Sequence, residues 1–279
     1  MRGLSEHTLL MNQIMGLCIK TQDWPSTLRD IGYRIELIEP SLINLEGKIV
    51  NPDVIFTSNR LLHSLIVDCK SGTIDKEQYE KYLKVERESL VEQAKVNVHN
   101  PRNLSIDVCF AGNNEKLMRS AEIVGCDLPI LLFQDKLIVY NKFSKNELNS
   151  AFSEPIPLSN RPPVSLYPFG DEDNSSLIAL YVFRSLFKRT LKGFDEHPIE
   201  DILQEIHPLW RYIEESKKKK IRNRVNGIIV VFGRKELKGY LSRVKKKPVW
   251  EVTKSLQAFG KVCDKIIDEL ETQSRIIDK

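Results

Sequence analysis

At 279 residues the chain is long for one core and comfortable for two domains, and 41% hydrophobic content excludes a disordered chain. Its longest apolar runs, such as residues 128–133 and 227–232, fall far short of a bilayer span, so no membrane partner is expected. The net charge of +4 hides a segregation: residues 216–247 hold thirteen Lys/Arg against one acid, Glu236, leaving 29 basic and 37 acidic residues elsewhere.

Residues 4–20 place Leu9, Leu10, Ile14, Leu17 and Cys18 at helical spacing behind Ser5, a candidate N-cap. Strands are expected at 33–39, 50–57 and 61–70. The first alternates Ile35 and Leu37 with Arg34 and Glu36, and the third is continuously apolar over 65–67 before turning polar. Ser71-Gly72 breaks that strand, and Asp75 can cap a long helix reaching to about residue 96. A strand at 105–111, a helix at 114–124 and closing strands at 129–133 and 136–140 follow. The order α-β-β-β-α-β-α-β-β describes an α/β domain, a mixed sheet flanked by helices, over residues 1–152. Five prolines between 153 and 176, with the run Asp171-Glu172-Asp173-Asn174, predict a linker at 153–173.

The remainder, 174–279, reads as a basic and mainly helical domain. Helices are expected at 176–191 and 199–205, with a third straddling 210–224. Short strands are expected at 227–232 and 248–252, a basic helix at 236–244, and a last helix from about 253 with Leu256, Phe259, Val262, Cys263, Ile266, Ile267 and Leu270 on one stripe. The cysteines Cys18, Cys69, Cys109, Cys126 and Cys263 form no CxxC pair, and MRGLSEHTLL has no basic start followed by an apolar block. Reduced thiols and a cytoplasmic location are the expectation.

Asp53 stands in a strand, and Asp68 and Lys70 end the next one. If those strands pair as a hairpin, the carboxylates converge at one end of the sheet. Period-two alternation puts Asp68 and Lys70 on one face and turns the Cys69 side chain to the other, leaving its backbone carbonyl as a further oxygen ligand. Hard divalent cations take such oxygens, and a nearby lysine can position water and offset developing charge on a phosphate.

Asn51-Pro52-Asp53, followed fifteen residues later by Asp68-Cys69-Lys70, resembles the PD-(D/E)XK signature of restriction-endonuclease-like nucleases, whose core order α-β-β-β-α-β matches the one read here. Gln78 and Tyr82, at i and i+4 on the helix behind Lys70, are similar to the QxxxY pattern of RecB-like members. The resemblance covers about residues 1–140. It implies a Mg²⁺- or Mn²⁺-dependent DNA endonuclease in which Asp53, Asp68 and the Cys69 carbonyl hold the metal. Lys70 would position water, Gln78 orient Lys70 or phosphate, Tyr82 contact the nucleic-acid backbone, and Glu6 of the first helix complete the shell.

Plainer readings stand beside these. Asp75-x-x-Gln78 is also a capping-box pattern, Tyr82 suits a side chain covering the sheet, Asp68 and Lys70 suit an edge ion pair, and an acid such as Glu6 suits a first helical turn on dipole grounds. The scattered histidines receive no role.

In the C-terminal half the short helices, a basic helix and a short strand resemble a winged-helix arrangement. Its nucleic-acid contacts would come from Lys217, Lys218, Lys219, Lys220, Arg222, Arg224, Arg234, Lys235, Lys238, Arg243, Lys245, Lys246 and Lys247, with a solvated basic face as the alternative. The expected partner is DNA, in a homodimer or a larger nucleoprotein complex. Restriction, phage defence, repair and transposition all accommodate such an enzyme, and a non-catalytic DNA-binding scaffold or a ribonuclease are the alternatives.

Overall fold

The computed structural model describes residues 4–244 and 247–276; Lys245 and Lys246 of the basic segment lie outside the described residues. The chain divides into two units. Leu9–Leu166 and Tyr212–Glu214 form one, and Tyr167–Arg211, with the segments before Leu9 and after Glu214, forms the other.

The first unit contains, in chain order, most of α1 (Glu6–Gly16), then α2 (Thr27–Asp30), β1 (Arg34–Ile38), β2 (Leu42–Ile43), β3 (Ile49–Val50), β4 (Val54–Ser58), β5 (His63–Lys70), α3 (Lys76–Leu83), β6 (Ser105–Gly112), α4 (Glu115–Val124), β7 (Ile130–Phe133), β8 (Lys136–Tyr140), α5 (Asn146–Ala151) and β9 (Ile156–Pro157). Seven strands make one mixed sheet in the order β1-β4-β5-β6-β7-β8-β9. The β1-β4-β5 and β7-β8-β9 pairings are antiparallel, and β5-β6-β7 are parallel. Parallel pairing needs a crossover, which α3 and α4 supply. β5 is buried along nearly its whole length, which explains its unbroken apolar run.

One sheet face is covered by the crossover helices: Ile55, Ile66, Val108 and Phe110 pack against Tyr79 and Tyr82 of α3 and Leu117 and Ala121 of α4. Gly112 ends β6 beside Lys70, and a Cβ there would stand 2.5 Å from the Leu117 side chain, so only glycine lets α4 approach this closely.

Most of the strands and helices expected in this unit are present, and the short helices α2 and α5 were not expected. The strand expected over 50–57 is split, with residues 49–50 in β3 and Asp53 standing just before β4 rather than within a strand. The helix expected over 75–96 stops at Leu83, and Ser89–Gln93 forms a separate π-helical turn. The small hairpin β2–β3 was not expected; Asn44 builds its turn by accepting the N–H groups of Glu46 and Lys48, with Gly47 at φ +74°. Nor is 153–173 a free linker. Its residues supply β9, which pairs with β8, and Leu166, Tyr167 and Phe169 are buried.

The second unit runs α6 (Ser175–Leu191), β10 (Glu196–Pro198), α7 (Ile199–Ile206), α8 (Glu215–Gly233), β11 (Leu241–Arg243), β12 (Val249–Val252) and α9 (Leu256–Ile276), with an antiparallel sheet ordered β10-β12-β11. Two expectations fail here. Residues 227–232 are not a strand: Ile221, Val225, Ile228 and Ile229 form one buried helical stripe that carries α8 through the apolar run. Residues 236–244 are not a helix: Gly239 turns the chain at φ +75°, and Leu241–Arg243 pairs with β12. No helix among the described residues is long and apolar enough to cross a membrane.

Two buried histidines set a pH limit on this unit. His207 lies among Tyr167, Phe169 and Trp210, and burial pushes its pKa down to about 3. His197 is held down to about 4 by burial and by Arg189. Each is neutral when folded but takes up a proton when unfolded below about 6.5. The unfolded state therefore binds more protons over that window, and stability falls as pH drops from about 6.5 toward 4, by up to about 1.4 kcal/mol per pH unit per ring. His207→Phe should make the loss of thermal stability between pH 6.5 and 4 shallower than in the wild type. Parallel slopes for the two proteins would refute this.

Candidate active site

The site forms where β1, β4 and β5 end together. Ile38↔Val54 and Val54↔Val67 are the last registered pairs of the two ladders. Pro40 and Pro52 follow immediately, and, lacking N–H donors, they stop the pairing at this level. The residues beside them, Glu39 and Asp53, are joined by a 2.7 Å hydrogen bond from the Glu39 N–H to the Asp53 carbonyl. Asp53 in turn donates its N–H to the Val67 carbonyl at 2.9 Å.

Asp53 and Asp68 are both buried. Asp53 Oδ2 accepts the Cys69 N–H at 2.5 Å. In an extended strand a residue's N–H and C=O point to the same edge, so the Cys69 carbonyl is directed toward Asp53 as well. The Cys69 thiol is buried and its pKa is driven well up by burial, then by Asp53 and Asp68, which makes it a core group rather than a nucleophile.

Asp68 Oδ2 receives Lys70 Nζ at 2.7 Å and Gln78 Nε2 at 2.9 Å. The Tyr82 hydroxyl also bonds to Asp68, and its ring meets Phe110 edge-on at 5.7 Å. Asp53, Asp68, Lys70, Gln78 and Tyr82 are thus brought into one network. The roles within it differ from expectation in two places. The Gln78 side chain bonds Asp68, where Lys70 or phosphate was the expected partner. Tyr82 is only 2% exposed, so its hydroxyl fixes Asp68 from below and does not reach toward a nucleic-acid backbone. The capping reading of Gln78 is realised by a different atom: its backbone N–H bonds Asp75 Oδ1 at 2.7 Å while its side chain serves Asp68.

Glu6 is exposed in the first turn of α1, where an acid complements the helix dipole. His63, at the opposite end of β5, bonds the Tyr33 hydroxyl at 2.7 Å and serves the core. Glu39 was not anticipated. It is partly buried, and its carboxylate lies within 4.8 Å of that of Asp53. No motif marks it; the only sequence signal is that Glu39-Pro40 and Pro52-Asp53 both set an acid against a proline where a ladder must stop.

The donor set of carboxylates and a peptide carbonyl suits a hard divalent cation such as Mg²⁺ or Mn²⁺ and offers nothing to a soft one. Burial, followed by the charge of Asp53, lifts the Asp68 pKa to about 7, with Lys70 opposing. Because the folded value is raised, the folded protein holds a proton between about pH 4 and 7 that the unfolded chain releases. This contribution to stability is present at low pH and is lost as pH rises through 7. In EDTA, Asp68→Asn should therefore gain thermal stability over the wild type at pH 8 by an amount on the order of a few kcal/mol, and much less at pH 5. A variant equally or less stable at both pH values would contradict this.

The basic segment belongs to the other unit, and its charges are not equivalent. Lys217 pairs with Asp171 at 2.6 Å, Lys218 with Glu215 at 2.8 Å, and Arg222 with Glu200 at 2.7 Å and Glu215 at 3.3 Å. Arg224 donates to the Ser175 hydroxyl at 2.6 Å. Lys219, Lys220, Arg224, Arg234, Lys235, Lys238, Arg243 and Lys247 are exposed. On α8, Lys219, Lys220, Asn223, Arg224 and Gly227 share the exposed face opposite the buried stripe.

Residues 6–167 match the family model of the MJECL32 domain, and residues 170–278 match a domain of unknown function, DUF8601. The two matches meet where the chain divides into its units. An uncharacterized protein of Methanocaldococcus jannaschii, MJECL32, is 26% identical over 245 residues, which cover 81% of this chain and 56% of that protein. The chain thus spans little more than half the length of the curated relative it matches. No solved structure matches the chain. Since the first model covers more than half of its residues, the protein belongs to the MJECL32-domain family.

Proposed function

We propose that the protein is a metal-dependent deoxyribonuclease, an endonuclease with a restriction-endonuclease-like catalytic unit and a winged-helix-like DNA-binding unit. The observation that carries this reading is the hydrogen-bonded convergence of Asp53, Asp68, Lys70, Gln78 and Tyr82 at one end of a mixed sheet. Residues of these types are what phosphodiester hydrolysis requires, and they lie 29 positions apart in sequence at the extremes.

A divalent cation held by Asp53, Asp68 and the Cys69 carbonyl would supply Lewis-acid stabilisation of the phosphate and a more acidic bound water. Lys70, held 2.7 Å from Asp68, keeps its ammonium at the site, where it can orient the water and offset charge developing on phosphate oxygens. Gln78 and Tyr82 fix the Asp68 carboxylate, so the acid does not reorganise as the water oxygen bonds to phosphorus and the bond to the leaving sugar oxygen breaks.

The second unit supports a DNA substrate through its order α6-β10-α7-α8-β11-β12, the order of a winged helix. On this reading α8, rather than residues 236–244, enters the groove. Strands β11 and β12, which pair antiparallel, form the wing.

Duplex DNA, single-stranded DNA and RNA, each incubated with Mg²⁺, Mn²⁺ or EDTA, test the activity. Metal-dependent cleavage of DNA is expected, and Lys70→Ala should lower the single-turnover rate by at least about a hundredfold with little change in DNA affinity. Binding without cleavage under every condition would make the protein a scaffold, and cleavage confined to RNA would make it a ribonuclease.

The DNA-binding surface is tested by salt dependence, because log affinity for duplex falls with log salt by about 0.9 per phosphate contacted. Changing Lys219 and Lys220 together to Glu should weaken duplex binding and flatten the slope by about 1 to 2. Lys217→Ala, which loses an ion pair to Asp171, should alter the slope by less. Equal effects of the two changes, or none from the double change, would move the contact away from the exposed face of α8.

A further inference from the structure

We infer that Glu39 is a carboxylate ligand of the cation site, completing with Asp53 and Asp68 a set of three acids drawn from the ends of three adjacent strands. The inference rests on the metal-dependent reading of that site.

The strand order β1-β4-β5 places Glu39, Asp53 and Asp68 at the same end of the sheet, with Asp53 in the middle. The Glu39 N–H bond to the Asp53 carbonyl prolongs the β1–β4 ladder one step past its last registered pair and fixes the two residues side by side. Their carboxylate oxygens lie within 4.8 Å, a separation at which one cation can touch both. On the other side Asp68 shares a hydrogen bond with Asp53, and the Cys69 carbonyl is directed to the same place.

Within this row Lys70 engages Asp68, and Glu39 and Asp53 form the adjoining pair of carboxylates. The fold also builds this pair deliberately: β2–β3 is an excursion from Pro40 to Pro52 that leaves the sheet after Glu39 and returns the chain at Asp53.

The test is Mn²⁺ binding to the full chain, read by titration calorimetry and by the Mn²⁺-induced rise in melting temperature, so that it does not depend on cleavage. The wild type and the surface control Glu122→Gln should bind alike, and Asp53→Asn should lose binding. Glu39→Gln should weaken binding by at least about tenfold, since site charge and ligand number set affinity. Glu39→Asp, which keeps the charge and shortens the reach, guards against a folding defect and should fall between the two. Wild-type affinity in both Glu39 variants, with loss in Asp53→Asn, overturns the inference and leaves the metal-site reading standing. Weakened binding in Glu6→Gln with full binding in Glu39→Gln also overturns it. No Mn²⁺ binding by the wild type overturns both, whereas weakened binding in Glu39→Gln by a protein that cleaves no nucleic acid upholds the inference and removes the nuclease.

Discussion

Asp68 is a carboxylate 4% exposed to solvent, set beside a second buried acid, Asp53. Two such groups cannot both carry charge in a poorly solvated place without compensation, and much of the first unit answers that constraint. Lys70 follows two residues later on the same strand face and bonds Asp68 directly. The β5–α3 turn is short enough for Asp75 to cap α3 and to bring Gln78 and Tyr82 back over the end of the strand. Phe110, opposite Asp68 on β6, steadies the Tyr82 ring. Gly112 keeps β6 and α4 tight beside Lys70. Removing the acid would leave these features as an ordinary core; with it, they enclose a carboxylate bonded by Lys70, Gln78 and Tyr82.

That arrangement also explains which parts of the site were legible in the sequence. Asp68, Lys70, Gln78 and Tyr82 lie within fifteen consecutive residues, and their relations follow from strand alternation and helix pitch alone. Asp53 needs one antiparallel hairpin, a local pairing that the flanking apolar runs announce. Glu39 needs a second strand pairing interrupted by a thirteen-residue excursion, and nothing in the local pattern of Ile38-Glu39-Pro40 says that Asp53 will lie beside it. The burial of Tyr82 was equally invisible, because an amphipathic side chain on a helix facing a sheet has the same sequence signature whether its hydroxyl points inward or out.

The second unit shows the opposite balance. Its helices α6, α7 and α9 were legible because each carries its own apolar stripe. The misreadings fall where local preference and tertiary context disagree. Residues 228–232 are rich in β-branched side chains and suit a strand locally, yet Ile228 and Ile229 continue the stripe of Ile221 and Val225, and burial against the neighbouring helices overrides the preference. Residues 236–244 have the composition of a basic helix, but one glycine at positive φ redirects the backbone into a strand whose partner lies beyond Lys247.

Charge counting from the sequence has the same weakness. Thirteen basic residues against one acid overstates the field the segment presents, because the acids that answer Lys217, Lys218 and Arg222 sit just outside its bounds or in other elements: Glu215, Glu200 and Asp171. Helix pitch decides which charges are spent. Lys218 and Arg222 lie over the Trp210 ring and Lys217 pairs with Asp171, whereas Lys219, Lys220 and Arg224 turn outward. On that outward face Gly227 interrupts the helix interior at a cost of about 1 kcal/mol relative to alanine, although an added Cβ there would meet nothing within 4 Å. Packing within the unit does not call for a glycine at this position.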